Sequence, residues 1–118
     1  MNKKILIIND QNSLLDVIKL ILTSEGYTVA ISQNYENSVE LVLKEKPDAI
    51  ILDNDSKIPG ELIATLLKKN QETKHIPILL LVNKGSMAGG IKLESATSSK
   101  LLKPFKPDAL LKSIRNLF

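Results

Sequence analysis

The stretch Ala49-Ile50-Ile51-Leu52-Asp53-Asn54-Asp55 constrains the fold more than any other part of the chain. Its apolar residues run from Ala49 to Leu52 without polar interruption, and a carboxylate stands where they stop. An unbroken apolar run this short reads as a strand buried on both faces, which needs a parallel sheet with helices on either side. Ile5-Leu6-Ile7-Ile8 repeats the design and ends in Asn9-Asp10, and Ile78-Leu79-Leu80-Leu81-Val82 is a third such run. Open α/β sheets place their ligands at the carboxyl ends of the strands. If the strands ending in Asp10 and Asp53 are neighbours, the two acids share one pocket.

The intervening segments carry helical spacing. Leu14, Leu15, Ile18, Ile21 and Leu22 mark a first helix, with Asn12 or Ser13 as its cap and Gly26 free to take the left-handed turn that ends it. Tyr27 to Ser32 alternates, with Val29 and Ile31 on one side, as an edge or half-buried strand does. A second helix is expected from about Tyr35 to Lys46, with Asn34 as its cap and Val39, Val42 and Leu43 inward; Pro47 stops it. Glu61 to Asn70 reads as a third helix burying Leu62, Ile63, Leu66 and Leu67. His75 lies in a polar linker and is expected to face solvent. Gly85, Gly89 and Gly90 weaken the helical signal after the fourth strand, leaving a short helix near Ile91 to Ala96. Lys100 to Leu102 is a weak last strand, and Asp108 to Phe118 is a closing helix with Leu110, Leu111, Ile114 and Leu117 as its core side. Strands alternating with helices imply right-handed crossovers and a doubly wound five-stranded parallel sheet, helices on both faces. The expected order is the flavodoxin-like 2-1-3-4-5, which sets strands one and three side by side and Asp10 beside Asp53. Residues 1–118 are read as a single domain without an output domain.

Composition narrows the function classes. The chain has 118 residues and no cysteine, which excludes disulfides and thiolate metal sites and suits a reducing cytoplasm, the expected location. No apolar run approaches the roughly 20 residues that cross a bilayer, and the apolar stretch after Met1-Asn2-Lys3-Lys4 is too short for a signal peptide. The formal net charge is +3. Aromatics are scarce and not interleaved with arginine, so no direct contact with nucleic acid is expected. Lys100, Lys103, Lys106, Lys112 and Arg115 crowd the last twenty residues against Asp108 alone, a bias that an acidic partner would suit.

Carboxylates that converge without a counter-charge repel; a like-charged pair at 4 Å costs on the order of 4 kcal/mol at an effective dielectric of 20. Such a pocket calls for a cation, and oxygen-only ligation suits magnesium. Lys103, just past the fifth strand, is placed to bring an ammonium to the same rim. A carboxylate, a hard cation and a lysine together can hold a transferring phosphoryl group, a reaction that depends mainly on positioning and charge neutralisation. Either acid alone reads more simply as a cap on the loop that follows it. The three strand ends together favour the phosphoryl site.

Over essentially its whole length the chain resembles the receiver domain of two-component response regulators. The residues that carry the likeness are Lys4-Ile5-Leu6-Ile7-Ile8-Asn9-Asp10, Glu25-Gly26-Tyr27, Lys46 to Asp53, Ile76-Pro77-Ile78 and Lys103-Pro104-Phe105. The resemblance implies that Asp53 is the phosphoacceptor, charged by a histidine kinase or phosphotransfer protein. It implies that Asp10, Asp53 and the backbone carbonyl of Asp55 hold Mg2+, that Lys103 pairs with Asp53 or its phosphoryl group, and that the bond before Pro104 is cis. It implies a signalling domain, not an enzyme beyond hydrolysis of its own phosphoryl group, with a downstream protein partner of unspecified kind and no membrane contact. The chain is expected to be a monomer or a weak homodimer.

Several positions depart from the family pattern. Asn9 stands where a first acid is usual, so it is expected to touch the cation only indirectly and to weaken it; the Asp55 side chain is a candidate to restore the charge. The loop from Asp53 to Gly60 is one residue short, and Pro59 is displaced. Val82 replaces the Thr or Ser whose hydroxyl bonds the phosphoryl group, and Lys100 replaces the aromatic that turns inward on activation. Asn83 is a candidate substitute donor. A hydrogen bond to a charged group contributes about 1.5–3 kcal/mol, against about 5.5 kcal/mol to swing a two-state equilibrium from 1:99 to 99:1. The expected switch is therefore impaired, and the competing reading is a degenerate receiver acting as a phosphorylation-independent binding module. A third reading takes Asp53-Asn54-Asp55 as the Asp-x-Asp motif of haloacid-dehalogenase-type phosphatases; its place on the third strand, not the first, counts against it.

Overall fold

The computed structural model describes residues 2–55, 57–83 and 98–118. Five strands form one parallel sheet: β1 (Lys4–Ile8), β2 (Thr28–Ser32), β3 (Ala49–Asp53), β4 (Ile78–Asn83) and β5 (Ser99–Lys103). Their order is β2-β1-β3-β4-β5, as expected. The helices are α1 (Asn12–Ser24), α2 (Ser38–Glu45), α3 (Gly60–Lys69) and α4 (Pro107–Arg115). The expected helix near Ile91 to Ala96 lies outside the described residues.

The unbroken runs are buried on both faces because each face meets a separate helical layer. Leu6, Ile8, Ile50, Leu52, Ile78, Leu80 and Val82 point to one side, where they pack with Val42 of α2 and with Ile63, Ala64 and Leu67 of α3. Ile5, Ile7, Ala49, Ile51, Leu79 and Leu81 point to the other, against Leu15, Ile18 and Leu22 of α1 and Leu110, Leu111 and Ile114 of α4. Each fully buried Ile or Leu contributes about 1.5–3 kcal/mol, so β1, β3 and β4 supply the rigid floor on which the strand ends stand. β2 and β5 are the edges, with mixed burial. Gly26 closes α1 at φ +91, the left-handed conformation expected of it.

Some local expectations are corrected. The residue before α1 is Gln11, without a side-chain cap; the turn is made instead by Asn9, whose Oδ1 accepts the Gln11 N–H at 2.7 Å. α2 begins three residues later than predicted, after Asn37, because Tyr35 drops into the core and the Asn34 side chain is spent on the Glu36 N–H at 2.9 Å. Leu41, not Leu43, packs at the edge of that core.

α3 buries Ile63 and Leu67 of the expected stripe but not Leu62 and Leu66. Ile63, Ala64 and Leu67 face the sheet, whereas Leu62 is 57% exposed and Leu66 53%. α3 begins at Gly60. A Cβ built on it would stand 2.9 Å from the Asp53 carbonyl oxygen, from Leu52 Cβ and from Leu80 Cδ1. α3 therefore starts flush against the end of β3. His75 is exposed, as expected.

Candidate functional site

β3 delivers Asp53 to the carboxyl edge of the sheet, paired in register with Leu81 of β4, while Asn83 at the end of β4 pairs with Lys103 of β5. Alternation then turns the side chains of Asp53 and Lys103 to the same side of the sheet. Asp53 is fully buried and Lys103 only 11% exposed. The Lys103 ammonium donates to both carboxylate oxygens of Asp53, each at 2.9 Å. The remaining acceptor capacity of that carboxylate is met by Asn9 Nδ2 on Oδ2 (2.9 Å) and by the Asp55 N–H on Oδ1 (2.8 Å). A buried carboxylate left unpaired would be strongly unfavourable; here both oxygens have charge-assisted or amide donors. The Lys103–Pro104 bond is cis.

Asp55 joins the cluster through its side chain. Its Oδ2 lies 3.3 Å from Lys103 Nζ and accepts the Asn83 N–H at 2.7 Å. A second carboxylate thus reaches the cluster from the loop after the third strand. Asn83 itself is exposed, and it is its backbone N–H that meets Asp55.

Asp10 takes a different place from the one expected. It is exposed at the rim, and its Oδ2 accepts the Lys57 N–H at 3.2 Å. The sheet does set β1 beside β3, but it is Asn9, fully buried, that turns toward Asp53. Among the described residues no three acidic, histidine or cysteine side chains converge so as to hold a metal ion. Val82 is fully buried in the core with Ile63, Ala64 and Leu67, and Lys100 is exposed on the edge strand.

Two supporting residues were not legible as such. Asn54 is buried; its N–H donates to the Leu81 carbonyl at 2.9 Å and its Oδ1 accepts the Glu61 N–H at 3.1 Å. It therefore caps α3 from seven residues away, outside the window in which capping patterns are sought. Gly60 lets that helix approach; its only sequence signal is the Pro59-Gly60 pair, which reads as an ordinary turn. Beside Lys103 a groove of about 530 Å³ opens between the start of α1 and the β5–α4 loop, lined by Leu14, Val17, Asn83, Pro104 and Phe105 among others.

A buried aspartate at the end of β3, clamped by a lysine from β5, in a five-stranded 2-1-3-4-5 sheet, defines a class of phosphoryl-responsive signalling domain. The chain belongs to the response regulator receiver domain family, whose model matches residues 5–115. It is 31% identical over 117 residues to the phosphate regulon transcriptional regulatory protein PhoB of Pseudomonas aeruginosa, a match covering 96% of this chain and 50% of that protein. The regulatory protein VanR of Enterococcus faecium is 29% identical, with 98% and 49% covered. The chain thus spans about half the length of these curated relatives. A crystal structure of a putative response regulator from Chloroflexus aurantiacus superposes with a TM-score of 0.90 at 28% identity, covering 99% of this chain and 98% of that one. The response regulator TrrA of Thermotoga maritima, solved in complex with Mg2+ and BeF, gives 0.85 at 26% identity, with 98% and 99% covered. Among the described residues no helix is long and apolar enough to cross a membrane.

Proposed function

We propose that this receiver accepts a phosphoryl group on Asp53 from the phosphohistidine of a kinase or phosphotransfer protein. One observation carries the reading: the Asp53 carboxylate is buried at a strand end with the Lys103 ammonium 2.9 Å from both of its oxygens. In the transfer a carboxylate oxygen attacks phosphorus, the P–N bond breaks, and the histidine nitrogen leaves with the electron pair. Lys103 neutralises charge on the transferring group, and Asn9 and the Asp55 N–H hold the carboxylate in line. The groove beside Lys103, flanked by half-exposed Val17, offers the donor an apolar seat.

Mg2+ would need the Asp53 carboxylate, the Asp55 carbonyl and Asp10, which stands at the rim on the Lys57 N–H and does not converge with the other two in this structure. The donor set is all oxygen, as that ion prefers, and bound there it would neutralise charge on the phosphoryl oxygens. The site offers it less charge than a pair of acids on β1 would, because the Asn9 side chain presents an N–H donor to Asp53.

The test is intact mass after incubation with magnesium and a small acyl phosphate. A single phosphate adduct that disappears in Asp53→Ala supports the proposal, and no adduct refutes it. A phosphorylation-independent binding module is the second reading. It draws on Val82, which lies in the core and carries no hydroxyl, so the end of β4 has no side-chain donor for a phosphoryl group at that position.

A further inference from the structure

Lys103 and Asp55 make a connection that the hydrogen bonds of β3 and β4 alone would not. The Lys103 ammonium is shared among three carboxylate oxygens, two on Asp53 at 2.9 Å and one on Asp55 at 3.3 Å. The Asp55 oxygen that it shares, Oδ2, is the same atom that accepts the Asn83 N–H at 2.7 Å. We propose that Asp55 is a positioning residue that couples the charge carried at Asp53 to the end of β4, by way of Lys103.

The physical basis is competition for one oxygen. When Asp53 carries its full charge, Lys103 divides its donors between the two carboxylates, and Asp55 Oδ2 keeps a strong bond to the Asn83 N–H. If Asp53 loses charge, the ammonium moves toward Asp55 and draws electron density from the atom that holds β4. The Asn83 N–H bond weakens and the last residue of β4 is released. If instead the ammonium is removed, Asp55 Oδ2 loses one of its donors and its bond to the Asn83 N–H strengthens. The two perturbations therefore act on one amide with opposite sign. A second path exists through the Asn54 N–H to Leu81 carbonyl bond, but it bypasses Asp55 and has no reason to change sign. Neither path requires a phosphoryl group ever to reach Asp53, so the inference stands or falls separately from the transfer reaction.

The experiment reads the Asn83 amide proton by ¹H–¹⁵N spectroscopy. Asp53→Asn should move it upfield and hasten its exchange with solvent, while Lys103→Met should move it downfield and slow that exchange. Both responses should vanish in the Asp55→Asn background. Asp55→Glu, which keeps the charge, should retain the sign of each. Either substitution alone decides the matter if the other fails to fold. Responses of unchanged size in Asp55→Asn would overturn the proposal in favour of the backbone path, and so would shifts of the same sign for the two substitutions.

Discussion

Asn9→Asp is the change that most directly tests the electrostatics of this site. In the wild type Asn9 Nδ2 donates to Asp53 Oδ2 at 2.9 Å, and both residues are fully buried. The substitution removes a hydrogen bond to a charged acceptor, worth about 1.5–3 kcal/mol. It also sets one carboxylate against another at nearly the same distance, which costs about 6 kcal/mol at an effective dielectric of 20. Rotation of the new side chain and entry of water relieve part of that repulsion, so the expected net loss in magnesium-free buffer is about 3 kcal/mol. For a domain of this size that lowers Tm by about 12 °C. Magnesium should reverse the loss, because the second acid completes the ligand set that Asn9 leaves short. At a concentration one hundred times its Kd, an ion that binds only the folded state adds about 2.7 kcal/mol. Thermal unfolding monitored by circular dichroism, with chelator and then with millimolar magnesium, measures both effects. A variant as stable as the wild type in chelator, or equal gains from magnesium in the two proteins, would refute the account of Asn9 as the residue that lowers the charge of the pocket.

Gly60→Ala should destabilise the domain by about 1–3 kcal/mol in urea unfolding, since the new methyl meets the Asp53 carbonyl, Leu52 and Leu80 at 2.9 Å; a gain in stability would show that α3 slides freely. Leu66→Gln should change stability by no more than about 0.5 kcal/mol, whereas Ile63→Ala should cost about 2–5 kcal/mol; the reverse ranking would return Leu66 to the buried stripe. Glu45 is held below the usual glutamate range by its hydrogen bond and charge pairing with Lys4. A carboxylate depressed in this way contributes stability above its unfolded pKa near 4.5, and the contribution is lost as pH falls through the lower folded value. Lys4→Met should therefore flatten the decline of stability between about pH 5 and pH 3, and parallel acid profiles for the two proteins would count against the pairing.

Much of the scaffold was legible because burial on two faces leaves an unmistakable mark. Ile5 to Ile8, Ala49 to Leu52 and Ile78 to Val82 read as strands buried on both faces, their alternation with helical segments implies a parallel sheet, and the size of the domain favours the order 2-1-3-4-5. Lys103 was placed just past a weak fifth strand, of which it is in fact the last residue, and its pairing with Asp53 was legible only through the resemblance to receiver domains. α3 was harder, because Leu62 and Leu66 form a stripe as regular as that of Ile63 and Leu67. Periodicity gives the existence of an apolar face but not which of two adjacent faces a neighbour will cover.

The amino-acid sequence by itself determined the sheet, the acid at its third strand end and the lysine at its fifth, since each follows from short-range pattern and from a topology with few alternatives. Only the tertiary structure decided which polar groups share the pocket. Asp10 and Asn9 are adjacent in the chain, yet one stands at the rim on the Lys57 N–H and the other is buried against Asp53. Asp55 turns its side chain to Lys103 and Asn83. These choices depend on a few ångströms of loop path, set by Asn54 and by the close approach at Gly60, and energies of that kind arise from contacts between distant segments that no local pattern encodes.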